Sequence, residues 1–141
     1  MAHSDFDAII TAMVPVAKQL VSEHGDFRPF GASMAANGEV TFEPAATERK
    51  TALATTSIGI LATRFQARAA GGLVRATGIC FPARVNHPDT AKVHDAICIG
   101  LEHESGESTL ACVPYAKRWL GGWKFGTTFN VAWNPKIFGD M

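Results

Sequence analysis

Ala36-Asn37-Gly38 lies between two short alternating apolar runs, and this restricts what residues 28–44 can form. Asn-Gly between such runs marks a β-hairpin, and the faces of the two strands decide its loop length. A two-residue loop would set Met34 opposite Thr41 and divide the apolar side chains between both faces. A three-residue loop sets Met34 opposite Val40 and Ala32 opposite Phe42. Phe30, Ala32, Met34, Val40 and Phe42 then share one face, and Gly38 takes the left-handed bulge position. The second register is therefore expected. Pro29 and Pro44 bracket the pair where missing N–H donors are tolerated.

Three further strands are expected. Residues 73–85 alternate weakly and contain Pro82, which argues for an edge position or a bulge. Residues 91–103 alternate cleanly, contain no proline and read as a central strand, with Val93, Ile97, Ile99 and Leu101 on one face. Ser105-Gly106 then turns into 108–116. Pairing across it is expected to set Leu101 opposite Leu110 and Ile99 opposite Cys112. Near the C-terminus Trp123, Phe125, Thr127, Phe129, Val131 and Trp133 occupy every second position, a strand with one strongly aromatic face. Seven of the thirteen aromatic residues fall in the last 27 positions, so large contact area is concentrated there.

Two segments read as helices. In residues 5–24 Phe6, Ile10, Met13, Ala17, Leu20 and Val21 recur at three- and four-residue steps, with Ser4 and Asp7 spaced as a capping box and Gly25 as a C-cap. Pro15 predicts a kink or restart. In residues 47–70 Ala54, Ile58, Leu61, Phe65 and Ala69 form the buried stripe. Glu48 suits the positive end of that helix dipole, Arg64 and Arg68 the negative end. The result is an α+β chain of order α-β-β-α-β-β-β-β: an antiparallel sheet of five to six strands against two helices. A cystatin-like helix wrapped by a curved sheet is the alternative.

With 141 residues, 47% of them apolar, the chain is the size of one domain, residues 1–141, that can bury a core without disulfide or metal. Thirteen basic and thirteen acidic side chains cancel, so the basic excess of a nucleic-acid binder is missing, while near-zero charge favours self-association. Neither a secretory leader nor a run of some eighteen apolar residues is present, and Cys80, Cys98 and Cys112 each sit among apolar neighbours. A cytoplasmic protein with buried reduced thiols, no nucleic-acid partner and no membrane partner is expected.

The chain carries few motifs of known chemistry. Neither glycine-rich phosphate-loop pattern occurs, and there is no C-x-x-C pair. Gly31-Ala32-Ser33-Met34-Ala35 faintly resembles a nucleophile elbow, but its serine sits within a strand rather than on a strand-to-helix turn. His94-Asp95 and Glu102-His103-Glu104 are the compact polar clusters. His94 and His103 are nine positions apart on one strand and face opposite sides, so they cannot share a metal; His94 can approach His87 or Asp89. Arg75 suits an exposed edge, or an ion pair with Asp95 or a ligand anion. No catalytic residue, metal site or cofactor is assigned. Candidate ligand- or partner-binding residues are Trp119, Trp123, Phe125, Phe129 and Trp133, with His94, Asp95 and His103. The aromatic strand has two readings: cover for the chain's own core, or a face toward a partner subunit or a small apolar ligand.

The order of elements over residues 5–116 resembles roadblock, longin and profilin-like domains, which implies a dimerising scaffold or regulatory module; those folds close on a helix, and this chain closes on a strand. Pro29-Phe30-Gly31 with Asn37-Gly38-Glu39-Val40, and Asp95-Ala96-Ile97 with Glu102-His103, look like a set of small bacterial proteins of unknown function. Function is expected to be non-enzymatic: a homodimeric binding or assembly module. The alternative is a small-molecule-binding protein or enzyme with an apolar pocket between sheet and helices, its mouth at His94, Asp95 or His103.

Overall fold

The computed structural model describes residues 2–44, 54–90 and 92–138. They form α1 (Ala2–His24), β1 (Phe30–Ala35), β2 (Val40–Glu43), α2 (Ala54–Ala70), β3 (Val74–Asn86), β4 (Val93–His103), β5 (Ser108–Lys117), β6 (Trp123–Phe125) and β7 (Phe129–Val131). All strands belong to one antiparallel sheet of order β2-β1-β3-β4-β5-β6, with β7 also on β5. The fold is α+β as expected, with two short terminal strands in place of one long one.

The first hairpin has the register its faces demand, with Ala32 opposite Phe42 and Met34 opposite Val40. Gly38 adopts φ 90°, the left-handed value that closes a three-residue loop. The second hairpin is built the same way. The N–H of His103 donates to the Glu107 carbonyl and that of Gly106 to the His103 carbonyl, with Gly106 at φ 96°. Its loop is therefore Glu104-Ser105-Gly106. Leu101 faces Thr109, Ile99 faces Ala111 and Cys98 faces Cys112. This is one residue away from the expected pairing, and a one-residue slip exchanges the faces of a whole strand. Ala111 and Val113 turn toward α1, while Leu110 and Cys112 lie on the other side.

β3 is interior, between β1 and β4, and not at an edge. Pro82 is accommodated because β1 reaches only to Phe30, opposite Cys80. On that side the proline has no strand partner among the described residues, so its missing N–H leaves no carbonyl of β1 unpaired.

Each helix covers one face of the sheet. Ile9, Met13, Ala17 and Val21 of α1 bury against Ala32, Met34, Ala76, Cys80, Ile97, Ile99 and Leu101. Gly78 makes room: a Cβ there would stand 2.8 Å from Ile9 and 3.0 Å from Met13. On the opposite face Leu61 and Phe65 of α2 pack with Ile79 and with Ile137 from the chain's end. Gly31 lies under Phe65, whose ring would be 2.7 Å from a Cβ at that position. α1 begins before Ser4, so the expected cap falls inside the helix, and Pro15 lies within a continuous helical span. Gly25, at φ 77°, ends it, its N–H donating to the Val21 carbonyl. The first part expected for the second helix, including Glu48, lies outside the described residues.

Candidate functional site

At one end of the sheet the hairpin after β4 meets the start of α1. His103 Nε2 lies 2.8 Å from Asp5 Oδ2, and Arg75 Nη2 lies 2.9 Å from Asp5 Oδ1. Arg75 also donates to the Ala36 carbonyl at 2.8 Å. The expected exposed edge or pairing with Asp95 is thus replaced by an ion pair with Asp5. Burial alone would raise the Asp5 carboxyl. Hydrogen bonds from His103 and Arg75, and their charge, outweigh it and hold the group below its ordinary value.

This cluster contains an Asp–His dyad, yet the histidine has no free nitrogen. Its Nδ1 accepts the Ser105 N–H at 3.0 Å, so in the neutral ring Nε2 carries the proton and donates to Asp5. A general base needs an unshared lone pair within reach of a substrate proton. The geometry instead ties three segments together: the first turn of α1, β3, and the β4–β5 turn.

Glu102, on the opposite face of β4, is buried and almost completely caged. Its carboxylate accepts the indole N–H of Trp133 at 3.1 Å and three successive backbone amides: Lys136 at 2.9 Å, Ile137 at 2.8 Å and Phe138 at 3.2 Å. Charge-assisted bonds from fixed amides are the environment a buried carboxylate requires. The Trp133 ring lies over Gly100, where any Cβ would come within 2.4 Å of it, and beside Phe81 at 5.8 Å. The Ser108 hydroxyl donates to the Trp133 carbonyl, and the Gln66 side-chain amide donates to the Lys136 carbonyl. Residues 133–138 are therefore a strap fastened across the sheet to α2.

The aromatic segment is not one face. β6 pairs with β5 at Lys117, Ala116 and Tyr115, and β7 pairs with it at Cys112, Ala111 and Leu110. Three residues, Gly126, Thr127 and Thr128, thus stand opposite two, Val113 and Pro114: a bulge, with the Gly126 N–H donating to the Pro114 carbonyl. The extra residue reverses the alternation. Trp123 and Phe125 pack on the α1 side, whereas Phe129, Val131 and Trp133 pack on the other.

Trp119 lies apart from all of these. Arg118 N–H donates to the Gly122 carbonyl and Gly121 N–H to the Arg118 carbonyl, closing a turn between β5 and β6. At its tip Trp119 is 91% exposed and Leu120 81%. Lys117, Arg118 and Lys124 are exposed around them. From Ser108 onward the chain carries four Lys/Arg against one acid, so the preceding residues carry nine against twelve. A chain of zero net charge is thereby divided into a basic last quarter and an acidic remainder. That asymmetry was readable in the sequence and is hidden by the overall balance.

His94 and Asp95 face opposite sides of β4, each into a concavity. His94 lines one of about 230 Å³ with Pro114, Ala116 and Lys124. It also meets His87 edge to face at 6.2 Å, and His87 lies on Phe129 at 4.6 Å. Asp95 lines one of about 480 Å³ with Pro82, Arg84, Tyr115, Trp123 and Asp26. His103 joins neither. Among the described residues no group of three or more His, Cys, Asp or Glu is placed to hold a metal ion. Cys98 and Cys112 stand opposite each other with sulfurs 4.0 Å apart, and Cys80 points to the other face. The contact with Cys112, with burial, pushes the Cys98 thiol well up; burial does the same to Cys80. Compared with protein-family models, curated proteins and solved structures, the chain matches none.

Proposed function

We propose that this chain is a binding module that self-associates, setting the β5–β6 hairpin tip of one copy on the acidic part of another. The observation that carries this reading is the Trp119-Leu120 tip. It is an apolar pair almost wholly bare at the end of an ordered turn and ringed by Lys117, Arg118 and Lys124. Tryptophan with flanking cations is the composition of an interface anchor. Tip-to-tip contact is disfavoured, because it would bring six like charges together. The residues before Ser108 carry twelve acids against nine bases, so the rest of a second copy has the opposite net sign.

The other expected interface residues support the proposal less. Trp133 and Phe129 cover the chain's own sheet, and Trp123 and Phe125 pack with α1. A second surface is β2, the edge of the sheet among the described residues, where Phe42 is 46% exposed. Three free, buried cysteines support a reducing compartment such as the cytoplasm.

Mass in solution from micromolar to millimolar concentration tests this. The expected outcome is a concentration-dependent dimer that dissociates in half-molar salt and in the Trp119→Ala/Leu120→Ala double variant. A dimer untouched by that variant would move the interface to β2. A monomer throughout would end the self-association reading.

A further inference from the structure

The 480 Å³ concavity is a consequence of where α1 stops. α1 ends at His24, and Gly25 and Asp26 stand at the concavity with residues of β3, β4 and β5. The uncovered stretch carries a row of directly opposed residues: Arg84 on β3, Asp95 on β4, Tyr115 on β5 and Phe125 on β6. Trp123 closes one side and Asp26, just after α1, the other.

Tyr115 and Trp123 meet at 69° with centroids 5.8 Å apart, so the two rings make a corner. An aromatic ring face attracts a cation laid against it. The chain already uses one neighbouring ring this way, with Lys18 Nζ lying 5.2 Å from the centre of Phe125. The charges facing the cavity are two carboxylates, Asp26 and Asp95, and one guanidinium, Arg84. Arg84 neutralises Asp95 only weakly: the pair is 3.9 Å apart and both side chains are more than half exposed. The Tyr115 phenol is pushed up by burial and, beyond that, by the nearby carboxylates of Asp95 and Asp26.

We propose that this concavity is a binding site for a small organic monocation of the quaternary-ammonium class, held by the Tyr115–Trp123 corner and by Asp26 and Asp95. An anion would meet Arg84, but in a site whose two carboxylates leave it net negative. A neutral apolar ligand would leave the net negative charge of the site, two carboxylates against Arg84, unmatched. A methylated ammonium uses each wall: its diffuse charge suits ring faces, and its low hydration makes desolvation cheaper than for a primary amine. The proposal concerns a different surface from the hairpin tip and does not depend on self-association.

The test is titration of ¹⁵N-labelled protein with choline at constant ionic strength, following the indole N–H resonances. Its neutral carbon isostere, 3,3-dimethylbutan-1-ol, is the control. Choline is expected to shift the Trp123 resonance saturably and leave that of Trp119 unmoved, with the isostere bound roughly tenfold more weakly. Asp26→Asn/Asp95→Asn changes only exposed side chains and should keep the fold; it is expected to weaken choline binding by about fivefold or more. Equal affinity for choline and its isostere, unchanged affinity in the double variant, or no saturable shift at Trp123 would each overturn the proposal.

Discussion

Trp119 and Trp133 lie fourteen residues apart on the same terminal stretch, and their surroundings are opposite. Trp133 has its indole N–H on a buried carboxylate, its ring over a glycine and its carbonyl bonded to Ser108. Trp119 stands at the tip of a turn with 91% of its surface bare. Two conditions separate them. Trp133 has an acceptor on the facing strand and a neighbour small enough to lie under it; Trp119 has neither. Aromatic content alone says where contact area is concentrated. Whether that area is used within the chain depends on partners supplied by other strands.

The sharpest way to break this contrast is to empty the cage. Glu102→Ala leaves three backbone amides and an indole N–H without their acceptor, and a loss of about 3 kcal/mol in denaturant unfolding is expected. Glu102→Gln should fall between, because it keeps one oxygen but turns an amide NH₂ toward donors. Gly100→Ala tests the second condition. A methyl 2.4 Å from the Trp133 ring forces the strap away, at an expected cost of about 2 kcal/mol.

Asp5 offers a smaller and pH-dependent comparison. Its folded-state value is depressed, so its contribution to stability is present above the ordinary aspartate value of about 3.9 and is lost as pH falls through the lower folded value. Stability against pH should therefore steepen downward below about pH 4. The Asp5→Ala variant, less stable at neutral pH, should show a shallower acid limb. At the bottom of the scale, Trp119→Ala should leave unfolding free energy within about 0.5 kcal/mol of the parent. A larger loss would mean that the tip is part of the folded core.

Much of the fold was legible. Asn37-Gly38 and the faces of its strands determined the first register, because only one loop length gathers Phe30, Ala32, Met34, Val40 and Phe42 together. The same reasoning failed at Ser105-Gly106 for a physical cause. Both faces of β5 are apolar, Leu110 and Cys112 on one and Ala111 and Val113 on the other, so alternation cannot choose between registers. Period two in the terminal stretch was real on each side of Gly126, but a bulge leaves no mark in an alternating pattern. Its direct trace is the steric need for glycine beside Pro114, whose Cγ would be 2.9 Å from a Cβ.

The candidate site divides along the same line. His103 could be named as a reactive residue type, but its partner Asp5 is 98 positions away and Arg75, which shares that carboxylate, is 28, and only the folded chain brings them together. Asp95 was expected at the mouth of an apolar pocket between sheet and helices, but its joining with Trp123, Tyr115 and Asp26 in one cavity was not foreseen. That cavity depends on where α1 ends relative to β3, β4 and β5, a length comparison between elements rather than a motif. The exposure of Trp119 follows from the same limit, since no local pattern says what fails to reach it.

The solvent exchange of the three indole N–H protons tests the central claim most directly, on the unmodified protein at a concentration where it is monomeric. The account predicts rapid exchange at Trp119 and strong protection at Trp133, whose N–H is held by Glu102. Equal, rapid exchange at both would contradict it, since the strap would then not be fastened within a single chain.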